Sequence, residues 1–249
     1  MAADWPVSGH PLRGVRVVEL THVAAGPFAG MLLADLVERL HAGLDRAITE
    51  RAGVLVLRGR GRHFCGGFDL DGLDDEDDAG LAHRFLRIGL LLERLLEAPF
   101  TTVAVVGGSA VGAGADLVAA CDHRIGTPDA RLRFPGAAFG VVLGTRRLAS
   151  LVGGERALAL ASGESLTGTE AHWAGLLTAS VPAPRLEDEL ERTLARSVHP
   201  AAARGVLRAT RAAYDADAAL ADLARSLAVP GLHSRIVRYA HPTRIRSTA

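Results

Sequence analysis

The sequence predicts an α/β protein built from repeated ββα layers and finished by a helical C-terminal region. Two glycine-rich stretches give the repeat: Arg62–Leu70 (RHFCGGFDL) and Gly107–Leu117 (GGSAVGAGADL) lie about 45 residues apart, each joining a short apolar run to an amphipathic one. The tail follows from the helical periodicity beyond Pro182, interrupted at Pro200 and Pro230. Each glycine stretch reads as a strand-to-helix turn with backbone N–H groups left free at a helix N-terminus. Two such turns facing each other would form a site for a developing oxyanion.

The elements follow in order. Residues 14–20 alternate as a strand, and a loop with Gly and Pro leads to an apolar-periodic helix at about 29–50. Val54–Leu57 is a short strand entering the first turn. The densest charge run comes next, Asp69, Asp71, Asp74, Asp75, Glu76, Asp77 and Asp78; it reads as a solvated loop, without the spacing of a calcium loop. A helix at about 79–97 places Leu81, Phe85, Ile88, Leu91, Leu92, Leu95 and Leu96 in the core and Glu93 on its solvent face. Thr102–Val106 is a β-branched strand running into the second turn, whose helix carries Leu117, Val118 and Ala120. Short strands are expected at His123–Ile125 and around Leu132–Phe134, with a helix near 145–162. Thr167 caps a further helix, with Glu170 at capping-box spacing.

Composition bounds the chemistry. With 249 residues and 49% hydrophobic content, the chain can bury roughly three quarters of its unfolded surface without a staple. A formal net charge of zero and no basic stripe argue against nucleic acid or an anionic membrane as a partner. Cys65 and Cys121 are too few for a disulfide framework, and no span of 18 apolar residues occurs, so a cytoplasmic location is expected. No metal site is expected. All 28 basic residues are arginine, and the chain has no lysine, asparagine or glutamine. This excludes a Schiff-base lysine, a P-loop lysine and any Asn or Gln oxyanion donor.

The ordered set Phe64-Cys65-Gly66-Gly67-Phe68-Asp69-Leu70, Gly112-Ala113-Gly114-Ala115-Asp116-Leu117, Cys121-Asp122, Phe134-Pro135-Gly136, Ser162-Gly163-Glu164 and Gly175-Leu176 resembles the crotonase (enoyl-CoA hydratase/isomerase) superfamily from about residue 37 onward. The resemblance implies a spiral of ββα repeats over 37–182 and a C-terminal helical region, 183–249, that packs trimers, sometimes paired into hexamers. It implies an acyl-CoA thioester as substrate, with coenzyme A part of that substrate rather than a cofactor. The thioester oxygen would be held by the backbone N–H groups of Phe68 and Ala113. Gly66, Gly67, Asp69, Leu70, Gly112, Pro135 and Gly136 would frame the substrate, with Arg58, Arg60 and Arg62 as candidates for the CoA phosphates.

Hydratases of this superfamily use two glutamates. Here the first position is Asp116, one methylene shorter, and the second is Gly136, which has no side chain. Asp116 reads equally as a catalytic carboxylate or a structural acid at a helix N-terminus. The expected activity is therefore acyl-CoA chemistry of the hydratase/isomerase type, with Asp116 moving a proton. Decarboxylation, thioester hydrolysis, or non-catalytic CoA-ester binding are the alternatives. Asp71, His63, His83 and Glu93 are further titratable groups considered near the substrate; the histidines also read as surface residues, and Asp69 as a helix cap. The segment 139–148 is shorter than the usual family loop, and Trp173 and Phe139 are either wall or core residues.

The first 36 residues differ. Pro11–Thr21 and Ala25–Leu36 resemble the start of family III CoA-transferases, although Val17–Leu20 and the following helix can equally serve as a crotonase first strand and helix.

Overall fold

A computed structural model describes residues 15–20, 29–68, 73–195, 206 and 214–241. The chain runs β1 (Val15–Leu20), α1 (Ala29–Thr49), β2 (Val54–Gly59), α2 (Asp78–Leu96), β3 (Thr101–Val106), β4 (Ser109–Val111), α3 (Ala113–Ala120), β5 (His123–Gly126) and β6 (Arg131–Arg133). It continues with α4 (Thr145–Val152), α5 (Gly154–Ala161), β7 (Ser165–Thr167), α6 (Gly168–Trp173), β8 (Ala179–Ser180), α7 (Leu186–Ala195), α8 (Ala216–Leu227) and α9 (Leu232–Ala240). Short 3-10 turns sit at Leu73–Asp75, Pro135–Phe139 and Ala183–Arg185.

β1, β2, β3, β5 and β8 form a parallel sheet in that order, each crossover carrying a helix or a second strand. β4, β6 and β7 form a smaller sheet. The repeat is seen in space in the middle of the chain: β3 and then β5 join the large sheet while the strands that follow them, β4 and β6, join the small one. A parallel sheet covered on both faces needs apolar residues at both parities, which the runs VLVL and TTVAVV supply. Leu55, Leu57, Ala104 and Val106 face the main core, whereas Val54, Val56, Val103, Val105 and Ile125 pack with Leu190 of α7.

Two expectations change here. Gly107–Gly114 is not one turn: Ser109–Val111 pairs with Arg131–Arg133 as β4, so glycine pairs turn the chain before it and after it. The helix expected at 145–162 is two helices, because Gly153 at φ 82° breaks it. Thr167 behaves as expected, its hydroxyl accepting from Glu170 N while the Glu170 carboxylate accepts from Thr167 N at 2.7 Å. β1 and α1 serve as first strand and first helix, β1 lying parallel to β2 at the edge of the large sheet.

The C-terminal helices complete the same core. Leu223 and Leu227 of α8 and Leu232 and Ile236 of α9 belong to one buried cluster that begins at Val37. Part of the acidic run ties these elements together while Asp77 and Asp78 remain exposed, as a solvated segment should. Asp77 caps α2 by accepting from Gly80 N, Glu76 pairs with Arg84 at 2.6 Å, and Asp78 accepts from the Gly231, Leu232 and His233 amides at 2.9, 3.1 and 2.7 Å. Asp69 and Asp71 lie outside the described residues.

The three amides, that of His233 foremost, hold the Asp78 carboxyl below its ordinary 3.8. A depressed carboxyl stabilises the fold above its unfolded pKa and loses that contribution as pH falls through the folded value. Asp78→Ala is expected to lower hydrogen-exchange protection of the α9 amides at neutral pH while sparing those of β2 and β3. The difference from wild type should vanish in acid below the ordinary carboxyl range.

Candidate active site

The site is assembled by the docking of the two glycine turns. Phe64 N donates to Ser109 O at 2.9 Å, Val111 N donates to Cys65 O at 3.0 Å, and Cys65 bridges to Ala110 as a parallel pair. Gly67 (φ 88°) and Gly112 (φ 53°) adopt conformations that only glycine takes readily. A Cβ on Gly67 would collide with the Val111 carbonyl, and one on Gly114 would lie 2.7 Å from Cys65 Cβ. Backbone therefore rests directly on backbone.

Each positive-φ glycine immediately precedes a proposed donor, Phe68 or Ala113. Gly112 N donates to Arg133 O at 2.9 Å, and the Ala115 and Asp116 amides fold back on Gly112 O. Among the described residues the Phe68 and Ala113 amides have no acceptor. Ala113 opens α3, so its N–H also carries the positive end of that helix. The Phe68 ring stacks on Phe85 at 4.2 Å between centroids, with the Arg84 guanidinium 4.3 Å from the Phe68 centroid, which holds the turn that presents the Phe68 amide.

These groups open on a cleft of about 100 Å³. Gly66, Phe68, Gly112, Ala113 and Asp116 form one side of its lining, Pro135 and Gly136 another. Phe85, Val111, Val141, Leu143 and Tyr239 complete it and were not among the residues read from sequence as substrate contacts. Phe139 does line the wall, 6.2 Å from Phe85 and 5.0 Å from Tyr239 between ring centroids. Apolar spacing did mark Phe85, but only as core. Nothing local marked Tyr239, which α9 carries in from the far end of the chain.

Asp116 lies three residues after Ala113 on α3, hence on the same helix face. It is 8% exposed, the single charged residue of an otherwise apolar helix, and its carboxyl has no hydrogen-bond partner among the described residues. Burial alone pushes its pKa up to about 7. Gly144 is packed against it: a Cβ there would fall 2.9 Å from Asp116 Cγ. A carboxyl so placed can take and return a proton near neutral pH.

The remaining candidates distribute as follows. Gly67 belongs to the first turn, while Asp69 and Leu70 fall outside the described residues. Arg58 pairs with Glu187 of α7, and Arg60 and Arg62 are exposed without a side-chain partner among the described residues. His63 Nδ1 accepts from Ser109 N at 3.3 Å, so it braces the turn; His83 is exposed. Two expectations are corrected. Glu93 is not on a solvent face: it is 8% exposed, because α8 covers that side of α2. Trp173 neither packs in the core nor lines the wall: it is 85% exposed, two residues beyond buried Ala171 and so on the opposite side of α6.

Gly136 sits in the 3-10 turn Pro135–Phe139, closed by Val141 N donating to Gly136 O at 2.9 Å. A Cβ on Gly136 would stand 2.9 Å from the Val141 carbonyl oxygen. The short loop after Phe139 thus occupies the space a side chain at this position would need.

A chain that spirals strands between two sheets and docks two glycine turns over a buried carboxyl is a crotonase-fold protein. The model of the enoyl-CoA hydratase/isomerase family matches residues 27–235, and the protein belongs to that family. A second model, CoA-transferase family III, matches residues 12–36. The crystal structure of a protein named as an enoyl-CoA hydratase/isomerase from Bordetella parapertussis superposes with a TM-score of 0.82 at 34% identity, covering 91% of this chain and 95% of that one. Among curated relatives, a protein named as an enoyl-CoA hydratase from Mycobacterium bovis is 39% identical over 140 residues, 55% of this chain and 56% of its own. A protein named ethylmalonyl-CoA decarboxylase from Danio rerio is 31% identical over 158 residues, 60% of this chain and 51% of its own. The matches therefore span little more than half the length of these curated relatives, and they reach proteins named for two different reactions. No helix among the described residues is long and apolar enough to cross a membrane.

Gly136→Ala is expected to cost about 1–3 kcal/mol of stability by urea denaturation, the usual penalty of overpacking. Gly67→Ala should separate the docked turns and lower the urea midpoint, the added Cβ meeting the Val111 carbonyl.

Proposed function

We propose that the protein is an acyl-CoA-processing enzyme that stabilises a thioester enolate and moves a proton with Asp116. The thioester oxygen would accept from the Phe68 and Ala113 amides, each donor contributing about 2.7–4 kcal/mol to the transition state. Asp116, on the same face of α3 as the Ala113 amide, would remove a proton from the acyl Cα and return it along the acyl chain. The observation that carries this reading is the unpartnered, buried Asp116 carboxyl opening on the same cleft as the two free amides. The cleft's apolar, aromatic wall supports a small acyl group, since it offers van der Waals contact and excludes water from the enolate. Arg60 and Arg62, exposed just before the first turn, are the available cations for the CoA phosphates.

Proton transfer within one substrate suits a site with a single carboxylate on the cleft. Two-carboxylate hydration suits it less, because the Gly136 position has neither a side chain nor room for one. Isomerisation of an enoyl thioester is accordingly the favoured reaction.

Asp116→Asn should abolish turnover of 3-enoyl-CoA and leave CoA-ester affinity within about twofold, the carboxyl being needed for chemistry and the backbone donors for binding. Thioester binding by the wild type without turnover of enoyl-, malonyl- or aromatic acyl-CoA would instead show a binding subunit. Because Asp116 must be ionised to act as base, the wild-type rate should rise with pH through about 7 and then level off. Stability runs the other way. A carboxyl whose folded pKa is raised from 3.8 to about 7 favours the fold below the unfolded value, and that advantage disappears as pH climbs toward 7. Asp116→Asn should therefore melt above wild type at pH 8, with the gap closing by pH 4.

A further inference from the structure

Behind Asp116, on the side away from the acyl cleft, lies a second cavity of about 20 Å³, room for one water molecule. Asp116 and Leu143 line both spaces. The apolar part of its wall comes from Leu92 and Leu96 of α2, Ala120 of α3, and Leu220 and Leu223 of α8. Its polar part is Asp116, Glu93, Tyr214 and Arg147. Glu93 Oε1 accepts from the Tyr214 hydroxyl at 2.7 Å, whereas Oε2 is buried with no hydrogen-bond partner among the described residues. An unpartnered buried carboxyl oxygen is costly, and a carboxyl group in contact with a cavity of this size is the setting in which a water is held.

We propose that Glu93, oriented by Tyr214, is a proton store for this active site, exchanging protons with Asp116 through a water seated in the cavity between them. The inference rests on the enolate reading of the cleft. It supplies the second carboxyl that Gly136 cannot, from the opposite side of Asp116. The steps balance. The Cα–H bond of the thioester breaks, its electron pair forms the enolate, and Asp116 takes the proton. Asp116 then gives a proton to the water as the water gives another to Glu93 Oε2, leaving Asp116 ionised and Glu93 neutral. The reverse sequence delivers a proton to the enolate, and no oxidant or further reactant is consumed. Glu93 does not touch the substrate, so it is a positioning residue that sets where the proton of Asp116 resides.

The charges around Glu93 fit an even exchange. Burial raises its pKa to about 7, opposed by the Tyr214 hydrogen bond and reinforced by Glu97 on α2 and Asp217 on α8. Asp116 from α3 is raised to a similar value, so a proton passes between the two at little cost. Arg147 from α4 donates to Ala119 O at 2.9 Å at the cavity edge, and Arg146, paired with Asp222, acts on Tyr214.

The test is solvent-deuterium exchange at Cα of butyryl-CoA, followed by mass spectrometry from pH 5 to 9, with binding and melting measured on the same proteins. Wild type should exchange. Glu93→Gln should bind butyryl-CoA with unchanged affinity but exchange about 10²-fold more slowly, the lower end of a general acid–base contribution, and its profile should lose one inflection near neutrality. Tyr214→Phe removes a hydrogen bond that holds the Glu93 pKa down and should move that inflection upward. Ala219→Val narrows the cavity without removing a titrating group; it should slow exchange as Glu93→Gln does, and it stands in should Glu93→Gln fail to fold. Unchanged rate and profile in folded Glu93→Gln, or in Ala219→Val in its place, overturn the proton store while leaving the cleft reading intact. No exchange by wild type overturns the enolate reading, and the store with it.

Discussion

The contact on which everything else depends is backbone against backbone, where the Cys65–Phe68 turn lies on the Val111–Ala113 turn. Its closeness is a steric condition. Gly67 and Gly114 meet main-chain or Cβ atoms of the opposing turn at distances that leave no room for side chains, and Gly67 and Gly112 hold positive φ. The second turn also exposes an amide, because Ala113 opens α3 and the first N–H groups of a helix have no intrahelical acceptor. Close backbone packing and an exposed amide are in this way one feature. The strand pairs beneath, β2 beside β3 in the large sheet and β4 beside β6 in the small one, bring the turns to the same edge.

Around that contact, burial sets the carboxyl pKa values. α3 is apolar along its length apart from Asp116, and its carboxyl is enclosed by Gly144, Leu143 and the cleft wall. The energetic penalty of an ionised carboxylate in such surroundings is what moves its pKa into the neutral range. Glu93 reaches the same range by the same cause, since α8 lies across α2 and closes it off from water. The shortened segment after Phe139 contributes by exclusion. By laying the Val141 carbonyl over Gly136 it fills the place of a second cleft carboxylate.

The C-terminal helices belong to the site as much as to the core. α9 brings Tyr239 to the aromatic row formed with Phe139, Phe85 and Phe68, and three backbone amides donating hydrogen bonds to the Asp78 carboxylate hold its first turn on α2. α8 supplies Leu220 and Leu223 to the cavity behind Asp116. Residues more than a hundred positions apart thus meet at a single carboxyl.

Much of this was legible in the chain itself. Short-range rules suffice for glycine turns, helix caps and strand runs, so both turns, Thr167, the α2 stripe and the candidate donors could be read directly, as could the place of Asp116 at the start of α3. Ser109–Val111 escaped because three residues between glycines carry no periodicity, and pairing with β6 alone makes them a strand. Glu93 was misread because helical spacing reports one buried face and α2 has two, the second created by α8 from a distant part of the chain. Trp173 failed oppositely, as apolar character cannot say which side of a short helix is covered. The sequence by itself determined the family, through its ordered motifs, and the glycine turns, since these follow from backbone conformations that glycine permits locally. Only the tertiary structure decided that Asp116 and Glu93 are buried carboxyls lining one cavity, because desolvation is set by everything that packs around a group rather than by its neighbours in the chain.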